Sequence, residues 1–216
     1  MCGRLNVVNE PISGWIGGQL GIEFTTPDNS DLKPTQPVAT LVSEEGRYRQ
    51  LDTAWGITPH WSKRPIINAQ AETVSSKRTF QTAFRSARCL VPCLGWYEWR
   101  DEGGPRKQRY SFTDPAENPL FMAGIYFNDP EGARLVTMTT VPSAAAAAIH
   151  HRMPLIIDRK DINLWLTGTD EQVGLAGAFE QKLTVLNCGL MPVTVSFCSN
   201  APASPIRLRL FSCYFQ

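Results

Sequence analysis

The sequence predicts an α+β fold, one domain spanning residues 1–216 with a largely antiparallel, barrel-like curved sheet flanked by short helices. Three observations carry this. Apolar runs of strand length come in adjacent pairs joined by turn residues, the helical patterns between them are short, and no repeat, linker or composition break divides the chain. Asn9, Glu10 and Pro11 form a helix start, and Trp15, Ile16 and Leu20 continue it as a short amphipathic helix interrupted by glycines. Residues 38–42 and 48–55 read as strands of a hairpin turning at Glu45-Gly46. A helix is expected near 80–87, then a strand over 89–99, a turn at Gly103-Gly104 and a partner strand near 109–112. Residues 119–127 and 135–141 read as core strands.

Ser143 can cap the alanine-rich turn 144–149, which delivers His150, His151 and Arg152 to a loop before a short strand at 154–157. Asp158 can cap a helix through Trp165, and Thr169 or Asp170 another through Phe179. Residues 182–186 and 192–197 complete the expected strands.

At 43% hydrophobic and 19% charged residues, the 216-residue chain can bury a core, which excludes a disordered tail. Its longest uncharged apolar stretches, such as 119–127, fall far short of the roughly 20 residues that cross a bilayer. No charged start precedes an apolar secretion segment, so a cytoplasmic, membrane-free protein is expected. The six cysteines (Cys2, Cys89, Cys93, Cys188, Cys198 and Cys213) are too sparse for a disulfide scaffold and lack paired metal-ligand spacing. Cys89 and Cys93 are expected inside a buried strand, and no metal or other cofactor is expected.

The net charge is +1, but residues 60–109 hold ten basic side chains against four acidic ones. That basic segment is interleaved with Trp61, Phe80, Phe84, Trp96, Tyr97 and Trp99. Cations that track phosphates beside aromatic faces that accept bases are what single-stranded nucleic acid binding requires, although such a cluster also suits a solvated face.

The start Met1-Cys2-Gly3-Arg4 bears the most specific chemistry. Initiator methionine is commonly trimmed before a small residue, which leaves Cys2 with an α-amine and a thiol two carbons apart. Their reference pKa values, about 7.7 to 8.0 and about 8.5, leave a useful fraction of each nucleophilic near neutral pH if the site does not perturb them. Such a pair condenses with an aldehyde as an imine, and the sulfur then closes a thiazolidine with the high effective molarity of an intramolecular step.

Five segments in order, MCGR at 1–4, WGITPHW at 55–61, INAQAET at 67–73, CLVPCLGWYEW at 89–99 and IHHRMP at 149–154, resemble the SRAP (SOS response-associated peptidase) family over about residues 1–160. The resemblance implies the SRAP fold and a sensor of abasic sites in single-stranded DNA. The ring-opened deoxyribose aldehyde would be captured by mature Cys2 and shielded as a covalent thiazolidine crosslink. It further implies Asn68 as the residue that orients Cys2, Glu98 as the carboxylate beside the amine, and His150 as the proton carrier. His151 keeps a solvent-facing default. For DNA it implies Arg4, Arg78 and Arg152 on phosphates, Trp61 and Trp99 flanking the lesion, and Thr139 as a hydroxyl near it, although either tryptophan equally suits a core. A monomer associated with the nucleoid is expected, with AP-lyase and self-maturing (Met1-removing) activities as accompaniments.

The sequence departs from the family where Gln70 replaces the arginine of NARAET, and where Asp31 and Lys33 stand within a segment that usually reads RYNxAP. The tail 199–216 resembles the family poorly. Three rival functions remain at this level. They are a cysteine peptidase using Cys2 with His150, an amino-terminal-nucleophile amidotransferase whose downstream motifs are missing, and a noncovalent binder of single-stranded or modified DNA.

Overall fold

The computed structural model describes residues 2–175 and 184–188. Its strands are β1 (Leu5–Val7), β2 (Asn29–Leu32), β3 (Pro37–Glu44), β4 (Arg47–Trp55), β5 (Asn68–Gln70), β6 (Arg88–Cys93), β7 (Gly95–Arg100), β8 (Gln108–Thr113), β9 (Leu120–Phe127), β10 (Arg134–Thr140), β11 (Met153–Pro154), β12 (Ile156–Ile157) and β13 (Thr184–Asn187). The helices are α1 (Asn9–Leu20), α2 (Gln81–Ser86), α3 (Ala144–Ala147), α4 (Ile162–Thr167) and α5 (Asp170–Leu175). The expected strand at 192–197, the tail 199–216, the far end of the helix expected through Phe179 and the start of the strand expected from residue 182 lie outside the described residues.

The expected barrel is a closed ring. Strands run β10-β4-β3-β6-β9, and β9 pairs with β10 again, so the sheet returns on itself. Leu41, Leu90, Ile125 and Leu135 from four of these strands are wholly buried. Pairing is antiparallel except where β10 runs parallel to β4 and to β5. The hairpin β3–β4 forms where anticipated. Glu45 and Gly46 both take positive φ, 51° and 76°, the backbone that a two-residue turn needs to match strand twist.

A second sheet, ordered β13-β8-β7-β1-β2, carries Glu98 on β7 and the strand β1 that follows Cys2. The single strand expected over 89–99 is instead two, broken at Leu94. β6 is buried along its whole length within the ring, and β7 leaves it to join the second sheet. The cause is local to Gly95, where a Cβ would lie 2.2 Å from the Phe112 carbonyl oxygen, so only glycine admits this approach of β7 to β8. Trp96 stacks on Phe112 at 4.7 Å just beyond the break. Gly95→Ala is therefore expected to cost about 3 kcal/mol by overpacking, read as a lower urea midpoint at unchanged slope. A midpoint equal to wild type would show that β8 yields freely there.

Other elements fall close to expectation, with informative shifts. In α1, Ile12 and Ile16 are buried, whereas Trp15 is half-buried against Phe121 with Arg159 over its ring. The strand expected at 154–157 is two short pieces, one on β10 and one on β9, separated by Leu155. The Asp158 side chain caps a single 3₁₀ turn before α4, not one continuous helix. β1, β2 and β5 leave no trace in the sequence pattern, since three or four residues are too few to show a period. Among the described residues no helix is long and apolar enough to cross a membrane.

Candidate active site

β1 places the amino terminus. Leu5 pairs with Trp96 and Asn6 with Gly95, antiparallel, and the Tyr97 N–H donates to the Arg4 carbonyl at 3.0 Å. Continuing that register sets Gly3 opposite Glu98 and Cys2 opposite Trp99. Cys2 is 1% exposed. The Asn68 side-chain amide donates to the Cys2 carbonyl at 2.8 Å, and the Asn68 carbonyl oxygen accepts from the Thr137 hydroxyl at 2.6 Å. Thr137 pairs with Asn68 across the parallel β5–β10 ladder and is itself buried, so the amide has one orientation. Asn68 thus holds Cys2 through its main chain.

Burial, and then the charge of Glu98, push the Cys2 thiol well above its ordinary range. This corrects the expectation of an unperturbed thiol: in the folded site the sulfur is a poor first nucleophile. The effect of Glu98 on the thiol marks the two side chains as neighbours. Glu98 is 4% exposed, and burial raises its carboxyl to about 7, where it can both take and return a proton near neutral pH.

His150 follows α3, which the Ser143 side chain caps as expected by accepting from the Ala146 N–H. Its Nδ1 lies within hydrogen-bond distance of the Arg152 main chain, 3.0 Å from the carbonyl and 3.1 Å from the N–H, and its ring stacks on His151 at 4.4 Å. Burial, the largest influence, holds its pKa below the usual histidine value, so the neutral ring prevails at neutral pH. His151 is exposed, in keeping with its default. Arg100 joins this loop to the strand of Glu98, donating to the Ala148 carbonyl at 3.0 Å. Two residues beyond Glu98, it shares that strand's face. Sequence reasoning missed Arg100 and Thr137, although period-two alternation from Glu98 points to the former.

The basic residues expected on DNA divide into two groups. Arg78 is exposed. Trp61 is 60% exposed, which excludes the core alternative. Its loop is pinned at the stem by the Ile57–Ile66 bridge and by the Trp55 indole N–H on the Ile67 carbonyl at 3.1 Å. Arg4 and Arg152 instead hold carboxylates. Arg4 meets both oxygens of Asp31 at 2.9 Å and lies 5.9 Å over Trp99, which is half-buried. Arg152 grips Glu72 through two bonds of 2.9 and 2.7 Å, and donates to the Thr139 carbonyl at 2.6 Å. Thr139 is 1% exposed, with its hydroxyl directed at the Ala69 carbonyl and Arg152. Its hydroxyl therefore lies behind Arg152, closed to solvent.

A closed β-ring and a second sheet together place the second residue of the chain, a buried cysteine, near a buried glutamate and on an anchored asparagine. The SOS response associated peptidase (SRAP) family profile matches residues 1–194, and the chain belongs to that family. It is 31% identical over 181 residues to the abasic site processing protein YoqW of Bacillus subtilis, covering 77% of this chain and 80% of that one. It is 30% identical over 132 residues to the abasic site processing protein YedK of Escherichia coli, covering 58% and 59%. The solved structure of a phage-related protein from Bordetella bronchiseptica superimposes with a TM-score of 0.71 at 22% identity, over 88% of this chain and 95% of that one, and so shares the fold.

Proposed function

We propose that this chain processes abasic sites in single-stranded DNA by forming a covalent thiazolidine at Cys2, after removal of Met1. The observation that carries the reading is the clamp on Cys2. Its carbonyl is fixed by Asn68, and a carboxyl of pKa about 7 lies beside it. The chemistry is redox-neutral. The Cys2 α-amine adds to the sugar aldehyde carbon, water leaves, and a C=N bond forms. The thiol then adds across that bond, making the S–C bond while its proton passes to nitrogen. Glu98 as carboxylate accepts the ammonium proton first, and neutral His150 moves the protons that open the sugar and expel water. The raised thiol pKa fits this order, with the amine attacking before the sulfur. Strand cleavage by β-elimination follows from an imine that fails to close, which accounts for a lyase side reaction. The names of the relatives, abasic site processing proteins, support the substrate class.

Purified protein incubated with glycosylase-treated, uracil-containing single-stranded DNA is expected to give a band that survives a denaturing gel. Binding without any such band, in protein shown by intact mass to lack Met1, would favour a noncovalent module. The cysteine-peptidase reading gains if Met1 release depends on Cys2 and His150 in the absence of DNA.

A further inference from the structure

Arg4 stands two residues from the reactive Cys2, yet its guanidinium is already engaged. Both Asp31 oxygens lie 2.9 Å from Arg4 Nη1, and Lys33 Nζ lies 3.4 Å from the same carboxylate. The contact is built into the backbone. β2 pairs antiparallel with β1 through Leu5 and Leu32, and the Asp31 N–H is held by the Asn29 side chain at 3.1 Å. The pair is open to solvent, with side chains 33% and 41% exposed, so another anion can reach it. A carboxylate offers a guanidinium the same two-oxygen geometry as a phosphate.

We propose that Asp31 is an internal competitor for a DNA phosphate at Arg4, and so sets this protein's affinity for undamaged single strands. The proposal rests on the single-stranded DNA reading above. Although partial burial works against it, the hydrogen bond and charge of Arg4 hold the Asp31 carboxyl below its ordinary value, so it remains ionised at neutral pH. A phosphate that engages Arg4 therefore exchanges one anionic partner for another. Little counterion release accompanies that step, and binding through Arg4 is weak until the covalent bond at Cys2 retains the strand. Asp31 thus favours release from intact DNA over release from the lesion.

The test is equilibrium binding of an undamaged single-stranded oligonucleotide, followed by fluorescence anisotropy across salt concentration, for wild type, Asp31→Asn, Arg4→Ala and the double variant. Asp31→Asn is expected to tighten binding about 2- to 5-fold, the scale of an exposed ion pair, and to steepen the log–log salt slope by up to about 0.7. In the Arg4→Ala background that gain should largely vanish. If Asp31 instead orients Arg4 for DNA, Asp31→Asn weakens binding and the proposal is overturned. It is equally overturned if the gain is undiminished without Arg4, because Asp31 would then act only as a background charge. Wild type that binds normally in either case leaves the DNA reading intact, whereas failure of all four proteins to bind removes both together.

Discussion

Replacing Cys2 by alanine is expected to reduce the denaturation-resistant crosslink to background while leaving the fold in place. Cys2 is buried but small, so the substitution removes one sulfur from the core, within the range of about 1 to 2 kcal/mol for a modest cavity. The chemical consequence is far larger. Without sulfur the ring cannot close, and the effective molarity of an intramolecular thiol, on the order of 10⁵ M or more, has no substitute in solution. The amine remains, so the variant should still form a reversible imine and nick the strand at the lesion. A denaturing gel of Cys2→Ala with abasic single-stranded DNA reads both results. A stable crosslink at wild-type yield would move the chemistry to another residue.

Glu98→Gln is expected to slow adduct formation by about 10²-fold or more, since a positioned base contributes on that scale. His150→Ala should act similarly on the steps that expel water. The pH dependence separates the two residues. With the Glu98 carboxyl at about 7, its basic form is lost as pH falls through neutrality, so the wild-type rate should drop there. Glu98→Gln should lack that limb.

Stability should move in the opposite sense. A carboxyl whose folded pKa lies above its unfolded value of about 4.3 contributes stability that is complete below pH 4. That contribution is lost as pH rises through about 7, on the order of 3 kcal/mol. At pH 8 Glu98→Gln should therefore unfold at higher urea than wild type, with the gap closing in acid. A variant slower in chemistry yet more stable at high pH marks Glu98 as a functional burial. Loss of both rate and stability at pH 8 would mark it as structural.

Much of this was legible in the residues. The turn residues Glu45 and Gly46, the Ser143 cap and the apolar runs of β9 and β10 state their structures locally, because each is specified by its own few residues. The site residues were legible only as motifs. Nothing in the composition near Asn68 announces that its partner lies 66 positions away, at the Cys2 carbonyl. The break at Leu94 was hidden because residues 89–97 run without a charged side chain; what divides them is the close approach of Gly95 to Phe112 on another strand. Arg4 and Arg152 are expected on phosphates, and each is held in the protein by a carboxylate, Asp31 or Glu72, that chain order does not pair with it. Thr139 is expected near the lesion, and the covering of its hydroxyl by Arg152 is invisible in the sequence, since strand alternation alone cannot say which face a neighbouring side chain closes.

The most direct measurement is peptide mapping by mass spectrometry of the purified crosslink, with intact mass to establish the processed terminus. The thiazolidine assignment predicts one modified peptide, beginning at Cys2, with the sugar remnant bonded to both its nitrogen and its sulfur. A remnant attached to any internal side chain, or a crosslinked chain that still begins with Met1, would contradict it.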